Sequence, residues 1–142
     1  ARAADLLPVS YFHIVFTLPA ELARVALQNK KEVYSLLFAA AAETLVEVAA
    51  DARHLGARIG LFAVLHTWGQ NLEHHPHVHC VVPGGGLSED GTRWVASRKN
   101  FFLPVAVLRE VFRGKVLDRL HRTYQRGDLR LAGLLMVLET RV

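Results

Sequence analysis

Five of the eight histidines of this chain lie between His66 and His79, and the pair His77 and His79 is the most informative. Side chains on a β-strand alternate between two faces, so these two imidazoles point to one side while Val78 points to the other. Two imidazoles about 7 Å apart on one strand face form half of a site for a divalent metal. We therefore interpret His77 and His79 as metal ligands rather than as two unrelated surface histidines.

The preceding segment supplies candidates for a third ligand. Residues 58–68 are apolar and rich in strand-forming residues, and continued alternation places His66 and Gln70 on one face. An antiparallel hairpin brings Gln70 near His77, because directly opposed side chains lie about 5 Å apart. An amide oxygen beside two imidazoles suits Mg²⁺ or Mn²⁺ and leaves positions open for phosphate oxygens. We expect Gln70 to be the third ligand, with the loop residue Glu73 as its competitor.

A closed zinc site is the alternative, because His74, His75 and Cys80 lie in the same run. However, alternation places Cys80 on the face opposite His77 and His79, and closed zinc sites usually draw ligand pairs from two separated segments. The chain has one cysteine, which also excludes a disulfide scaffold and fits a reducing compartment. An open Mg²⁺ or Mn²⁺ site is therefore favoured.

The pattern of the remaining elements predicts an α+β fold. The 142 residues are 51% hydrophobic, which is enough for one core. Strand and helix signals give the start of a ferredoxin-like β-α-β-β-α-β arrangement with an antiparallel central sheet, whose helices cover the Val78, Cys80 and Val82 face. The longest apolar run, Leu36–Ala42, is too short to span a bilayer, so no membrane partner is expected. The expected elements are a strand at 11–18, a short helix after Pro19, a helix at 32–55, strands around a loop at 71–76, a glycine turn at 84–86, an edge strand at 93–96, a helix from Pro104 to about Gln125, and a closing strand at 131–138.

Positive charge is concentrated late in the chain. Between Arg93 and Arg130 there are ten basic and three acidic residues, an excess of +7, whereas the whole chain carries +4. Basic residues beside a metal site predict contacts with a phosphate backbone, although an ordinary solvated helix face is the alternative. The candidate DNA-binding residues are Arg98, Lys99, Arg109, Arg113, Arg119, Arg122 and Arg126.

Three stretches of the sequence together resemble a known family. They are Leu7–Pro19, Leu65–Leu72 and His75–Gly86. The last of these contains His77 and His79. These stretches closely resemble the rolling-circle transposases of the insertion sequence 91 family, which belong to the HUH nuclease superfamily. The name HUH describes two histidines on either side of a hydrophobic residue, as in His77-Val78-His79.

The resemblance implies a reaction and its partners. HUH transposases nick and rejoin single-stranded DNA at transposon ends and target sites with the help of a divalent metal. A tyrosine hydroxyl attacks the scissile phosphate, which gives a 5′-phosphotyrosine and a free 3′-hydroxyl. The resemblance also implies that His77, His79 and Gln70 bind the metal, and it implies a bacterial cytoplasmic, nucleoid-associated location. Trp68 is a candidate platform for stacking a base, or else a partly buried strand aromatic.

The sequence departs from that family in two places. Full-length members carry a cysteine-rich zinc module before the leucine-proline stretch and a downstream helix with two tyrosines, and both are missing. We therefore expect residues 1–142 to be one domain cut at both ends, which binds metal and DNA but cleaves poorly or not at all. Tyr124 is the candidate nucleophile because it lies on a helix after the histidines. It also continues a Leu117 and Leu120 stripe, which is typical of a core position.

Two other functions remain open on the sequence alone. A non-catalytic single-stranded DNA-binding module would not need the histidines. A metallohydrolase acting on small phosphate esters would need a carboxylate base, for which Glu73 is the nearby candidate.

Overall fold

The computed structural model describes residues 7–69, 74–100 and 102–130. Eight elements follow one another along these ranges, with a 3-10 turn at Ala20–Leu22 before the first helix. In chain order they are β1 (Tyr11–Thr17), α1 (Ala23–Gln28), α2 (Lys30–Ala50), β2 (Phe62–Trp68), β3 (His74–Pro83), β4 (Gly85–Leu87), β5 (Trp94–Ala96) and α3 (Val105–Gln125).

The strand β3 is the central strand of a three-stranded antiparallel sheet with the order β1-β3-β2. In its register, His77 lies opposite Thr17 of β1 and opposite His66 of β2. The strands β4 and β5 form a separate antiparallel ribbon. Strand order and helix positions confirm the predicted α+β, ferredoxin-like fold. The predicted closing strand at 131–138 lies outside the described residues.

Among the described residues, the helices cover one face of this sheet and leave the other face open. On the covered face Val78, Cys80 and Val82 are fully buried, and α2 packs against β3 there. The helix α3 packs on α2 and on β1, where the Phe112 and Phe16 rings lie 4.6 Å apart. The prediction that the apolar face of the histidine strand meets the helices is therefore confirmed, and the histidines of the HUH motif lie on the open face.

By length and composition alone, α2 could cross a membrane, because an 18-residue window has a mean hydropathy of 1.5. A core helix passes the same test, and half of this window is buried inside the fold. Its acidic residues Glu43 and Glu47 form ion pairs with Arg119 and Lys115 of α3. These contacts identify α2 as the core helix of this domain.

Three predicted boundaries are wrong for local reasons. The helix predicted at 32–55 ends at Ala50, because Asp51 turns to an extended backbone and its carboxylate accepts a hydrogen bond from the Arg53 amide at 2.8 Å. The residues 74–76 belong to β3 rather than to a loop, and the Pro76 carbonyl accepts a hydrogen bond from the Leu18 amide at 3.0 Å.

The glycine turn predicted at 84–86 is instead mostly strand, since β4 begins at Gly85. A Cβ on Gly86 would lie 2.3 Å from the carbonyl oxygen of Arg58, so this glycine allows a close approach of the chain to itself.

Candidate metal centre

Three histidines converge on the open face of the sheet. His66 lies directly opposite His77, and His79 is the next residue along β3 on the same face. One ring nitrogen from each of these three residues lies within 4.8 Å of the others. The distances between ring centroids are 4.3 Å for His66–His79, 4.8 Å for His77–His79 and 5.3 Å for His66–His77. Three imidazole nitrogens at this spacing form a compact donor set for a divalent cation.

A hydrogen bond sets the tautomer of His77. Its Nδ1 lies 2.7 Å from the backbone carbonyl oxygen of His75. A carbonyl oxygen can only accept, so Nδ1 carries the proton and donates it, and Nε2 keeps a free lone pair. Metal-binding histidines are commonly oriented by such a bond on the other ring nitrogen.

The ring of His79 supports a metal site more directly. Its Nδ1 lies 2.7 Å from Nε2 of His13, while its own Nε2 is buried and has no hydrogen-bond partner among the described residues. Desolvation lowers the pKa of His79, and the neighbouring histidines His66, His77 and His13 lower it further. Lowering favours the neutral ring, which is the form that binds a metal. A buried nitrogen without a partner costs about 1–3 kcal/mol, and a bound cation would remove that cost.

The third histidine of this cluster, His66, lies on the face that strand alternation predicts, although Gln70 rather than His66 was the predicted third ligand. The available signal was the antiparallel register, which puts His66 opposite His77. The predicted third ligand Gln70 and its competitor Glu73 lie outside the described residues, so those assignments stay predictions.

Cys80 and His74, two of the candidates for a closed zinc site, do not lie with His77 and His79. Cys80 is fully buried on the helical face, where burial raises its pKa to about 11. The Nε2 of His74 lies 2.7 Å from the Tyr34 hydroxyl of α2. The structure therefore contradicts a zinc site that combines either residue with His77 and His79.

The ring of Trp68 lies at the edge of the histidine cluster. It stacks on His66, with centroids 5.2 Å apart and planes 12° apart, and its side chain is 53% exposed. One face of the ring is therefore occupied by His66, while about half of the side chain is accessible. Its role in stacking a base stays a prediction.

The candidate nucleophile Tyr124 lies in the last turn of α3, within the helical layer. Its side chain and that of Leu117 are about half exposed, so the predicted core stripe is wrong at these two positions. Among the described residues, no hydrogen bond or ring contact joins Tyr124 to the histidine cluster. The buried row of α3 lies further round the helix, at Leu108, Phe112, Val116 and Thr123.

The predicted DNA-binding residues fall into two groups. Three arginines are engaged in ion pairs: Arg119 with Glu43, Arg122 with Asp118, and Arg126 with Asp128 at 3.3 Å. The other four form no ion pair in the part of the chain that the structure describes. These free cations are Arg98, Lys99, Arg109 and Arg113.

Comparison with known proteins gives consistent results. The family model Y2_Tnp, described as "Putative transposase", matches residues 60–140. "Putative transposase y4qJ" of Sinorhizobium fredii is 59% identical over 140 residues, which is 99% of this chain and 35% of that protein. "Transposase for insertion sequence element IS801" of Pseudomonas savastanoi pv. phaseolicola is 43% identical over 79 residues, which is 56% of this chain and 18% of that protein. The chain thus spans about a third or less of the length of these relatives.

Two solved structures of the conjugative relaxase TrwC with oriT DNA share the fold. The metal-bound complex has a TM-score of 0.61 at 18% identity and covers 78% of this chain and 42% of the relaxase chain. The metal-free complex has a TM-score of 0.62 at 16% identity and covers 86% of this chain and 47% of the relaxase chain. At this identity the likeness concerns the fold alone, and it agrees with the α+β architecture. The family match extends over more than half of the chain, and we conclude that this chain belongs to the Y2_Tnp family of transposases.

Proposed function

We propose that this domain is the metal-binding part of a transposase that nicks and rejoins single-stranded DNA through a phosphotyrosine link. The observation that carries the proposal is the cluster of His66, His77 and His79 on one sheet face, together with the buried Nε2 of His79, which has no hydrogen-bond partner within residues 7–69, 74–100 and 102–130. The names of the relatives support it, since they are transposases and the relaxase TrwC was solved with oriT DNA.

The three histidines would hold a divalent cation. That cation would polarise a non-bridging oxygen of the scissile phosphate and offset its developing charge. The chain itself supplies the imidazole nitrogens and a sheet face that the described helices leave uncovered, on which a strand can lie. We also propose that Arg98, Lys99, Arg109 and Arg113 contact the phosphate backbone. A ligand set of three nitrogens favours Mn²⁺ over Mg²⁺, because Mg²⁺ prefers oxygen ligands.

The proposed chemistry is a transesterification that keeps the number of phosphoester bonds constant. A tyrosine hydroxyl oxygen attacks the phosphorus and loses its proton. The bond from phosphorus to the 3′-oxygen breaks, and that oxygen leaves as a 3′-hydroxyl after gaining a proton. The strand end keeps a 5′-phosphate bonded to tyrosine, so the reverse attack by a 3′-hydroxyl rejoins DNA. The placement of Tyr124 in the helical layer favours a different tyrosine as nucleophile, and residues 1–142 alone are then expected to bind DNA without efficient cleavage.

The first experiment measures Mn²⁺ binding by titration calorimetry. The wild-type chain should bind one equivalent, and both His77→Ala and His66→Ala should lose most of that binding. The variant Gln70→Ala tests the ligand predicted from the sequence, and His121→Ala removes an exposed histidine of α3 as a matched control. Unchanged binding in His66→Ala with loss in Gln70→Ala would identify Gln70 rather than His66 as the third ligand.

The second experiment measures fluorescence anisotropy of a labelled single-stranded oligonucleotide with Mn²⁺ or with chelator. The proposal expects tighter DNA binding with Mn²⁺ in the wild type, and loss of this gain in His77→Ala. DNA binding that is indifferent to both the metal and the histidines would overturn the proposal in favour of a non-catalytic binding module.

A further inference from the structure

A fourth histidine, His13 of β1, contacts the cluster without belonging to its donor set. We propose that His13 is a positioning residue, which accepts a hydrogen bond from Nδ1–H of His79 and so keeps the Nε2 lone pair of His79 available to a metal. This inference rests on the metal site of the proposed function.

The sheet register brings the two rings together. Val15 of β1 lies opposite His79, and His13 is the preceding residue on the same strand face. Diagonal neighbours across an antiparallel pair lie within reach of long or aromatic side chains. The Nε2 of His13 lies 2.7 Å from Nδ1 of His79, and the ring planes differ by 25°. This nitrogen pair therefore forms a hydrogen bond in which one ring donates and the other accepts.

The direction of this bond follows from the other nitrogen of each ring. If His13 donated, Nδ1 of His79 would accept and its Nε2 would carry a buried proton that has no acceptor among the described residues. If His79 donates, its Nε2 carries a lone pair directed at a site with two other imidazoles. His13 then carries its own proton on Nδ1, and its exposed side chain allows that group to bond to water.

The two ligands of β3 are thus oriented by different kinds of acceptor. His77 donates to the backbone carbonyl of His75, which no side-chain substitution removes. His79 donates to a side chain, which substitution can remove without touching a ligand. Loss of such a supporting hydrogen bond typically weakens metal binding about 10- to 100-fold. We expect an effect of this size on the Mn²⁺ dissociation constant when His13 cannot accept.

The test compares His13→Leu with His13→Gln, because the glutamine carboxamide oxygen can stand where Nε2 of histidine accepts. Calorimetric titration with Mn²⁺ should show a dissociation constant about 10- to 100-fold higher in His13→Leu, and recovery of most of the affinity in His13→Gln. The variant His121→Leu, which removes an exposed histidine of α3, should bind like the wild type. Equal affinities in wild type, His13→Leu and His13→Gln would overturn the inference while leaving the proposed metal site in place.

A second readout does not depend on metal binding. Histidine ¹⁵N chemical shifts of the metal-free protein report which ring nitrogen carries the proton. We expect His79 to be protonated at Nδ1 in the wild type and in His13→Gln, and to lose that preference in His13→Leu. Protonation at Nε2 in the wild type would overturn the inference even if His13→Leu were too unstable to study. Failure of the wild type to bind Mn²⁺, with the Nδ1 tautomer intact, would refute the metal site rather than the hydrogen bond.

Discussion

Replacing Asn29 with alanine should detach Arg130, in the segment after α3, from the junction between α1 and α2. The Asn29 side chain is buried, and its Nδ2 donates hydrogen bonds to the carbonyl oxygens of Val25 at 2.9 Å and Arg130 at 2.8 Å. Its Oδ1 accepts a hydrogen bond from the Arg130 amide at 2.6 Å. One side chain thus ties the segment after α3 to a position 101 residues earlier.

The size of the effect follows from these three bonds. A hydrogen bond contributes about 1 kcal/mol net, and the loss of three would total about 3 kcal/mol. Two of them involve the backbone of Arg130, an exposed residue, so water can replace part of that loss. We therefore expect the free energy of unfolding to fall by about 2 kcal/mol, a large fraction of the roughly 5–15 kcal/mol typical of a domain.

Urea denaturation followed by circular dichroism measures this change, with the exposed-site variant Glu110→Ala as the control. Amide hydrogen exchange at Arg130 provides a local readout, because its N–H loses its acceptor in Asn29→Ala. A free energy of unfolding within about 0.5 kcal/mol of the wild type, with Arg130 still protected, would refute the reasoning.

Three further predictions concern positions outside the histidine cluster. Gly86→Ala should lower the thermal midpoint, because its Cβ would lie 2.3 Å from the carbonyl oxygen of Arg58. Gly114→Ala in the middle of α3 should raise it, because a Cβ there meets no atom of the described residues within 4 Å. Equal shifts of the same sign would contradict this. The Cys80 thiol, buried and with its pKa raised to about 11, should not react with a thiol reagent at pH 8 until urea unfolds the protein, and fast labelling of the native protein would show that it is accessible. Hydrogen bonds from neighbouring hydroxyl and amide groups lower the pKa of Asp90 to about 2. The contribution of Asp90 to stability is therefore present above about pH 4 and is lost as the pH falls toward 2. Carboxyl NMR titration checks this, and a titration midpoint near pH 4 would contradict it.

The faces of the histidine strand could be predicted because strand alternation has a period of exactly two residues. That period alone put His77 and His79 on one face and Val78 on the other, and the structure agrees. The third histidine of the cluster could not be predicted from strand alternation alone. Choosing between His66 and Gln70 requires the register of the hairpin, and that register shifts between His66 and Trp68. Such an irregularity depends on local backbone geometry that sequence spacing does not encode.

The contact made by His13 could not be predicted for a similar reason. It joins residues 66 positions apart and depends on which strand lies next to β3. The predicted core stripe on α3 was wrong at Leu117 and Tyr124 for a different reason. On α3 the rows through Tyr124 and through Val116 both have helical spacing, so the period does not identify the buried one. The packing partner decides: Phe112 packs against Phe16 of β1, and Leu108 and Val116 are buried in the same core.

The alternation of β3 also couples the candidate metal centre to the stability of the domain. Val78 and Cys80 are buried against the helices. His77 and His79 alternate with them along β3 and lie on the opposite face. The packed face therefore holds the ligand backbone in place before any metal arrives, and this preorganisation reduces the ordering cost of binding. By linkage, a cation that binds only the folded chain must stabilise it, by about 2.7 kcal/mol at a concentration one hundred times its dissociation constant. The core of this sheet and its open face act as one unit, because successive residues of a single strand serve both.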